Sequence, residues 1–164
     1  MAAEALDRTA AAPAAQALVR VVNASPQRGE AATVTEALRQ LGFSQVAPAA
    51  NDPLYPAVTD PALALTCRAQ IRFGQQGMPA ARTLSLVEPC AELVKDDRQD
   101  ATVDFAIGMR FDNLQPKPEA RRVLERLAEW AAQNPEAQGG LQANASSPPS
   151  VDAGLLAAAR QVNC

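Results

Sequence analysis

The sequence predicts an α/β fold: a small, mainly parallel sheet packed by helices, with an additional C-terminal helix and tail. Three observations carry that prediction. Segments 18–23, 68–73 and 102–107 have the residue types and alternation of strands. The stretches after the first two read as helices with one apolar stripe each. The resulting β-α-β-α-β order favours right-handed crossovers, which make core strands largely parallel. One or two short extra strands are expected beside the main three.

Residues 1–17, rich in alanine, read as a flexible lead-in, with a short helix as the alternative. Leu18, Val19, Val21 and Val22 then form an apolar run broken by Arg20, which suits a strand covered over most of its surface. Asn23 to Pro26 turn the chain. Ser25 is placed to cap a following helix and Pro26 fits its first position, while a start one turn later, near Gly29, is the alternative. Ala31, Val34, Leu38 and Leu41 make the buried stripe of that helix, and Gly42 ends it with Phe43 positioned to pack back.

Pro48, Pro53, Pro56 and Pro61 argue against a long helix or central strand in 44–66. A short strand at Gln45 to Ala47 and one helical turn near Pro61 to Leu65 are expected there. Arg68 to Phe73 alternates into a strand, and Gly74 to Gly77 is the turn after it. Met78 to Glu88 is a helix with Pro79 near its start, Pro89 just past its end, and Ala80, Leu84 and Val87 on its buried side. Glu92 to Lys95 reads as a short edge strand and Asp96 to Asp100 as a solvated loop. Val103, Phe105 and Ile107 alternate with Thr102, Asp104 and Ala106 in the third main strand. Between Pro118 and Ala132 a strong helix shares Ala120, Val123, Leu124, Leu127 and Ala131 on one face. The α/β domain therefore spans 18–133, with 134–150 a Pro/Gly/Ser linker and 151–164 a short C-terminal helix.

With 164 residues, the chain suffices for one domain with a real core. Its net charge of -3, without a concentrated basic segment, argues against nucleic-acid binding. Histidine is absent, which removes Ser-His and Cys-His nucleophile pairs and most zinc sites. Any catalysis would rest on carboxylates, Lys or Cys, and neither a cofactor nor a metal is expected. No apolar stretch is long enough to span a bilayer, and Met1 opens onto a segment lacking a signal-peptide core.

Three cysteines raise a pairing question. Cys67 precedes a strand and Cys90 follows the helix after it, so both come to the same end of that unit and a Cys67–Cys90 disulfide is geometrically reasonable. Such a bridge would stabilise by roughly 3 kcal/mol. Two free buried thiols are the other reading. For Cys164 the choice is between a partner upstream of residue 1 and an unpaired exposed thiol.

Asn23 and Ser25 lie where an anion or a sugar hydroxyl would meet helix N–H groups, and with Arg28 and Arg72 they form the candidate ligand-binding set. A plain turn and helix cap is the preferred reading of Asn23 and Ser25. Asp96, Asp97 and Asp100 lack the apolar surroundings that would raise one pKa for glycoside chemistry, and read as a solvated turn. Asn23-Ala-Ser and Asn144-Ala-Ser have the pattern of glycosylation acceptors.

The run VVNASPQRGEAA, in which a hydrophobic strand ends in an Asn-small-Ser turn and enters a helix through Gly and Ala, resembles the signature of the LytR C-terminal (LytR_C) domain family of actinobacterial cell-envelope proteins. The strand Ile71-Arg72-Phe73-Gly74 and the apolar run Val103 to Gly108 match its later parts. AANDPLYP, CRAQIRFG, VEPCAEL and VDFAIGMRFDNL are similar, more narrowly, to its mycobacterial envelope-integrity members. The resemblance covers about 18–115. It implies a non-enzymatic scaffold held outside the cytoplasmic membrane by a single preceding membrane helix, so that disulfides are expected. It further implies that Cys164 pairs with a cysteine between that helix and residue 1. Envelope proteins are the implied partners, among them LytR-CpsA-Psr-type glycan ligases, and a peptidoglycan or wall-glycan binding module is the alternative function.

Overall fold

The computed structural model describes residues 6–134, 151–162 and 164. Its elements are β1 (Leu18–Asn23), α1 (Glu30–Gln40), β2 (Gln45–Val46), β3 (Ala50–Asn51), β4 (Ala69–Phe73), α2 (Met78–Val87), β5 (Glu92–Lys95), β6 (Thr102–Ile107), α3 (Pro118–Gln133) and α4 (Ala153–Arg160). Of the expected linker 134–150 only Asn134 is among the described residues; 135–150, with Asn144, lie outside them.

The sheet runs in the order β2-β1-β6-β4-β5, with β3 also paired to β1. Among the described residues every pairing but one is parallel, as the crossover argument expects. The exception is β4 with β6, which run antiparallel with Ile71 opposite Phe105 and Arg72 opposite Asp104. Its cause is loop length. Only residues 96–101 join β5 to β6, too few for a parallel crossover, so the chain reverses and β6 inserts on the far side of β4. That loop passes so close over the end of β4 that a Cβ on Gly74 would lie 2.1 Å from the Arg98 carbonyl oxygen.

Strand alternation gives the sheet two unlike faces. Val19, Val21, Ile71, Phe73, Phe105 and Ile107 point into the main core, where they meet α1 through Val34 and Leu38 and α2 through Leu84 and Val87. The opposite face carries Arg20, Val22, Gln70, Arg72, Asp104 and Ala106, and segment 50–66 lies across part of it through Asp52 and Leu65.

Helix α1 begins at Glu30 behind Gly29, whose φ of 82° is the left-handed conformation that glycine adopts freely. The later of the two expected starts is therefore the observed one. Helix α2 is buried along eight consecutive residues, Ala80 to Val87. One side faces the sheet. On the other, Leu86 packs with Ala120, Val123 and Leu127 of α3 and Ala159 of α4. The face expected for α3 is the buried one.

Two expectations need correction. Residues 6–17 are not a loose lead-in: Leu6, Ala11, Ala12, Ala14 and Ala17 are buried. Ala12 N donates to Pro79 O at 3.1 Å, and Thr83 Oγ1 donates to Ala12 O at 2.5 Å. Alanine's small side chain lets this backbone lie directly on α2, a packing mode without periodicity.

The disulfide joins Cys90 to Cys164, with Cα atoms 5.4 Å apart, so neither the Cys67–Cys90 bridge nor an external partner for Cys164 holds. Cys67 is free. Its Sγ lies 3.4 Å from Ala69 O and it packs with Val22, Leu65 and Ala106 on the polar face of the sheet, whereas Cys90 leaves α2 on the helical face. Burial, reinforced by the Glu92 carboxylate, pushes the Cys67 thiol up and keeps it protonated.

The bridge closes a sequence separation of 74 residues, for which the chain-entropy model gives about 4 kcal/mol as an upper figure. C164S is expected to lower the urea midpoint and to expose α2 amides to hydrogen exchange while the amides of β1 and β6 stay protected. Uniform loss of protection across the sheet would show that α4 is not a separately anchored layer.

Candidate functional site

The turn after β1 is closed on itself. Asn23 Nδ2 donates to Gln27 O at 2.6 Å, and Asn23 Oδ1 accepts from Ser25 N at 3.0 Å and from Ser25 Oγ at 2.8 Å. Ser25 Oγ accepts from Gln27 N at 3.3 Å and lies 3.1 Å from Glu30 Oε2. Burial pushes the Glu30 carboxyl above its ordinary range, with the Ser25 hydroxyl pulling the other way. Asn23 and Ser25 are both buried, so they brace the turn and offer no ligand contact. Their polar atoms are consumed by the loop that enters α1. The same burial withdraws Asn23 as a glycosylation acceptor.

Arg72 is also internal. It is 3% exposed and its partner Asp52 0%. The pair is a fork: Nη1 donates to Oδ1 at 2.9 Å and Nη2 to Oδ2 at 2.7 Å. Nε donates to Gln70 Oε1 at 3.0 Å, Gln70 Nε2 donates to Glu92 Oε1 at 2.9 Å, and the guanidinium lies 5.5 Å from the Tyr55 ring centre. Asp52 Oδ1 also accepts from Leu54 N at 3.0 Å. Arg72 thereby pins the AANDPLYP segment to the sheet.

A second network lies beside it in register, because Arg20 and Arg72 both stand opposite Asp104. Arg20 grips Asp104 through two bonds of 3.0 Å. Arg98 binds Asp104 at 3.2 Å and Asp96 at 2.8 and 2.7 Å. The Arg98 hydrogen bond holds the Asp96 carboxyl below its ordinary range. Asp100 accepts from Thr102 N at 2.9 Å, so the acidic loop is an ordered, self-paired turn.

Of the four candidate ligand residues, Arg28 alone faces open space. With Gln27, Thr33 and Val34 it lines a cleft of about 470 Å³ between the start of α1 and residues 111–114. The far wall is held by Arg68, which sequence reasoning did not single out. Its Nε donates to Glu88 Oε1 at 2.7 Å, Nη1 to Asp112 Oδ1 at 2.5 Å and Nη2 to Asn113 O at 2.7 Å. The guanidinium sits 4.8 Å from the Phe111 ring centre. Glu88, 4% exposed, is pushed above its ordinary range by burial despite the pull of Arg68. Arg68 and Glu88 lie in CRAQIRFG and VEPCAEL, so the motifs held the signal without showing the pairing.

The structure is thus an α/β domain whose sheet is covered by helices on one face and tied by paired charges on the other. The chain belongs to the LytR_C family, described as LytR cell envelope-related transcriptional attenuator, which matches residues 16–111. It is 42% identical over 129 residues to the cell envelope integrity protein Cei of Mycobacterium tuberculosis, covering 77% of this chain and 57% of that protein. The chain thus spans little more than half the length of this relative. Its fold is similar to the crystal structure of the soluble domain of a conserved hypothetical secreted protein from Mycobacterium marinum, with a TM-score of 0.78 and 34% identity over 100% of this chain and 96% of that one. Helices α3 and α4 lie beyond the family match but within this structural one.

Two measurements test the site. R72A leaves Asp52 as an unpaired buried charge, and a loss of roughly 3–5 kcal/mol is expected in urea denaturation; a loss near that of an exposed pair would contradict the internal role. Glu88 supplies the pH test. Between 4.5, its ordinary value, and its raised native value, the folded chain holds a proton that the unfolded chain has released. Its contribution is therefore most favourable below 4.5, declines as pH rises through the native pKa and is flat above. E88Q should remove that declining segment from a stability-against-pH profile, and parallel profiles for the two proteins would refute it.

Proposed function

We propose that this protein is a non-enzymatic interaction domain that supports cell-envelope integrity from outside the cytoplasmic membrane by docking on envelope proteins, glycan ligases of the LytR-CpsA-Psr type among them. Similarity to Cei supports the envelope role. The Cys90–Cys164 disulfide suits an oxidising compartment. Among the described residues no helix is long and apolar enough to cross a membrane; a single-pass anchor preceding this domain is part of the proposal.

The observation that carries the non-enzymatic reading is how the buried charges are used. Arg72 with Asp52, Arg68 with Glu88, and Asp104 with Arg20 and Arg98 are tied to one another within the fold. A general acid or base needs a carboxylate free to meet a substrate, and these are committed to arginine. The competing reading, a wall-glycan module, would use the cleft beside Arg28. Glycan sites favour open aromatic platforms, and here Tyr55 lies against Arg72.

Sedimentation with purified wall sacculi separates the readings. The domain is expected to stay in the supernatant with bare sacculi and to co-purify with specific proteins from envelope extracts. Saturable retention on protein-free sacculi would overturn the scaffold reading in favour of glycan binding.

A further inference from the structure

Arg82 of α2 and Arg72 of β4 are equally buried, each 3% exposed, yet they are satisfied very differently. Arg72 sends Nε and both Nη atoms to acceptors. Arg82 makes one side-chain hydrogen bond among the described residues, from Nη1 to Asp7 Oδ1 at 2.7 Å. Its Nε is buried without a partner. A guanidinium carries five N–H donors, and leaving them unmatched in the interior is costly unless an acceptor arrives.

The surroundings show where an acceptor would enter. Arg160, at the end of α4, converges on the same Asp7 oxygen as Arg82. These three residues and Gln161 rim a cleft of about 440 Å³, whose remaining wall is Ala153, Leu156 and Ala157 of α4. Burial raises the Asp7 carboxyl, but the hydrogen bonds from Arg82 and Arg160 outweigh it and hold the group below its ordinary range. Asp7 is therefore ionised at neutral pH. Two guanidiniums against one carboxylate leave a surplus of one positive charge.

We propose that this cleft binds a singly charged carboxylate bearing a small apolar substituent, the chemistry of a free peptide C-terminus ending in a small residue. One negative charge cancels the surplus. A planar two-oxygen group matches the donor forks of Arg82 and Arg160. Ala153, Leu156 and Ala157 of α4 give the cleft an apolar wall against which a small substituent would lie. The site lies between α2, α4 and the N-terminal segment, away from the Arg28 cleft, and it does not depend on the scaffold reading.

The test is a titration of the intact, disulfide-bonded chain with N-acetylalanine, followed through the Nε–Hε NMR resonances of Arg82 and Arg160. Saturable shifts of both are expected. R160Q should weaken binding about tenfold or more, as loss of a charge-assisted hydrogen bond implies, and D7N should tighten it by removing the competing carboxylate. Dimethyl phosphate is the second probe. Shifts with dimethyl phosphate but not with N-acetylalanine would overturn the carboxylate assignment. No saturable shift with N-acetylalanine in either wild type or D7N would overturn the site itself. Should D7N fail to fold, wild type and R160Q decide the question by themselves.

Discussion

The constraint on which this architecture turns is a helix with no free side. Residues Ala80 to Val87 of α2 are all buried, so the sheet can cover only half of what must be covered. Burying a side chain such as Leu84 or Leu86 contributes on the order of 1.5–3 kcal/mol, enough to draw a second layer over the far side. That layer is α3, α4 and the alanine-rich segment before β1. The polar residues of α2 are held within it, with Thr83 bonded to Ala12 O and Ser85 Oγ donating to Arg82 O at 2.6 Å. The disulfide belongs to the same arrangement, since Cys90 lies just beyond α2 and Cys164 just beyond α4.

The sheet's other face is organised by charge in place of apolar packing. Arg20, Asp104 and Arg72 stand in one cross-strand row. Such a row fixes register more strongly than it adds stability. A slip of one residue would turn Arg72 and Asp104 to the apolar side beneath α1 and α2, where no partner waits, and would bring Phe73 and Phe105 to the polar face. Exposed pairs such as Arg39 with Glu36, 3.9 Å apart, carry no comparable penalty. The price of the arrangement is the buried Arg72–Asp52 fork, whose two members are tolerable only together.

What was legible in the chain follows from which interactions leave a period. Strands β1, β4 and β6 and the buried faces of α1 and α3 show as alternation or as a helical stripe, and the structure places them within a residue or two of their expected bounds. The envelopment of α2 leaves no period. Arg82, Thr83 and Ser85 fall outside the apolar stripe expected for that helix, and the alanines that cover it come from a segment with no pattern of its own. Cysteine pairing failed for a related reason. Proximity along the strand-helix unit favoured Cys67, but the choice is made by α4 packing on α2, a contact between segments far apart in sequence. At the candidate site the residue types were informative and their direction was not. Asn23, Ser25 and Arg72 are polar groups that the fold turns inward to satisfy one another.

The family match ends at residue 111, and this bears on what the folding unit is. Residues 16–111 contain the whole sheet, α1 and α2, but neither α3, α4 nor the segment that carries Leu6, Asp7, Ala11 and Ala12. Cut at those limits, this chain would bare Leu86 and leave Arg82 without its carboxylate. It would also leave Cys90 without a partner. The packed unit of this chain is therefore larger than the matched region, and it includes segments on both sides of that region, which meet where Asp7 binds Arg82 and Arg160. The second helical layer is thus what closes the central helix of this chain, and the Asp7 cluster lies at the seam where that closure is made.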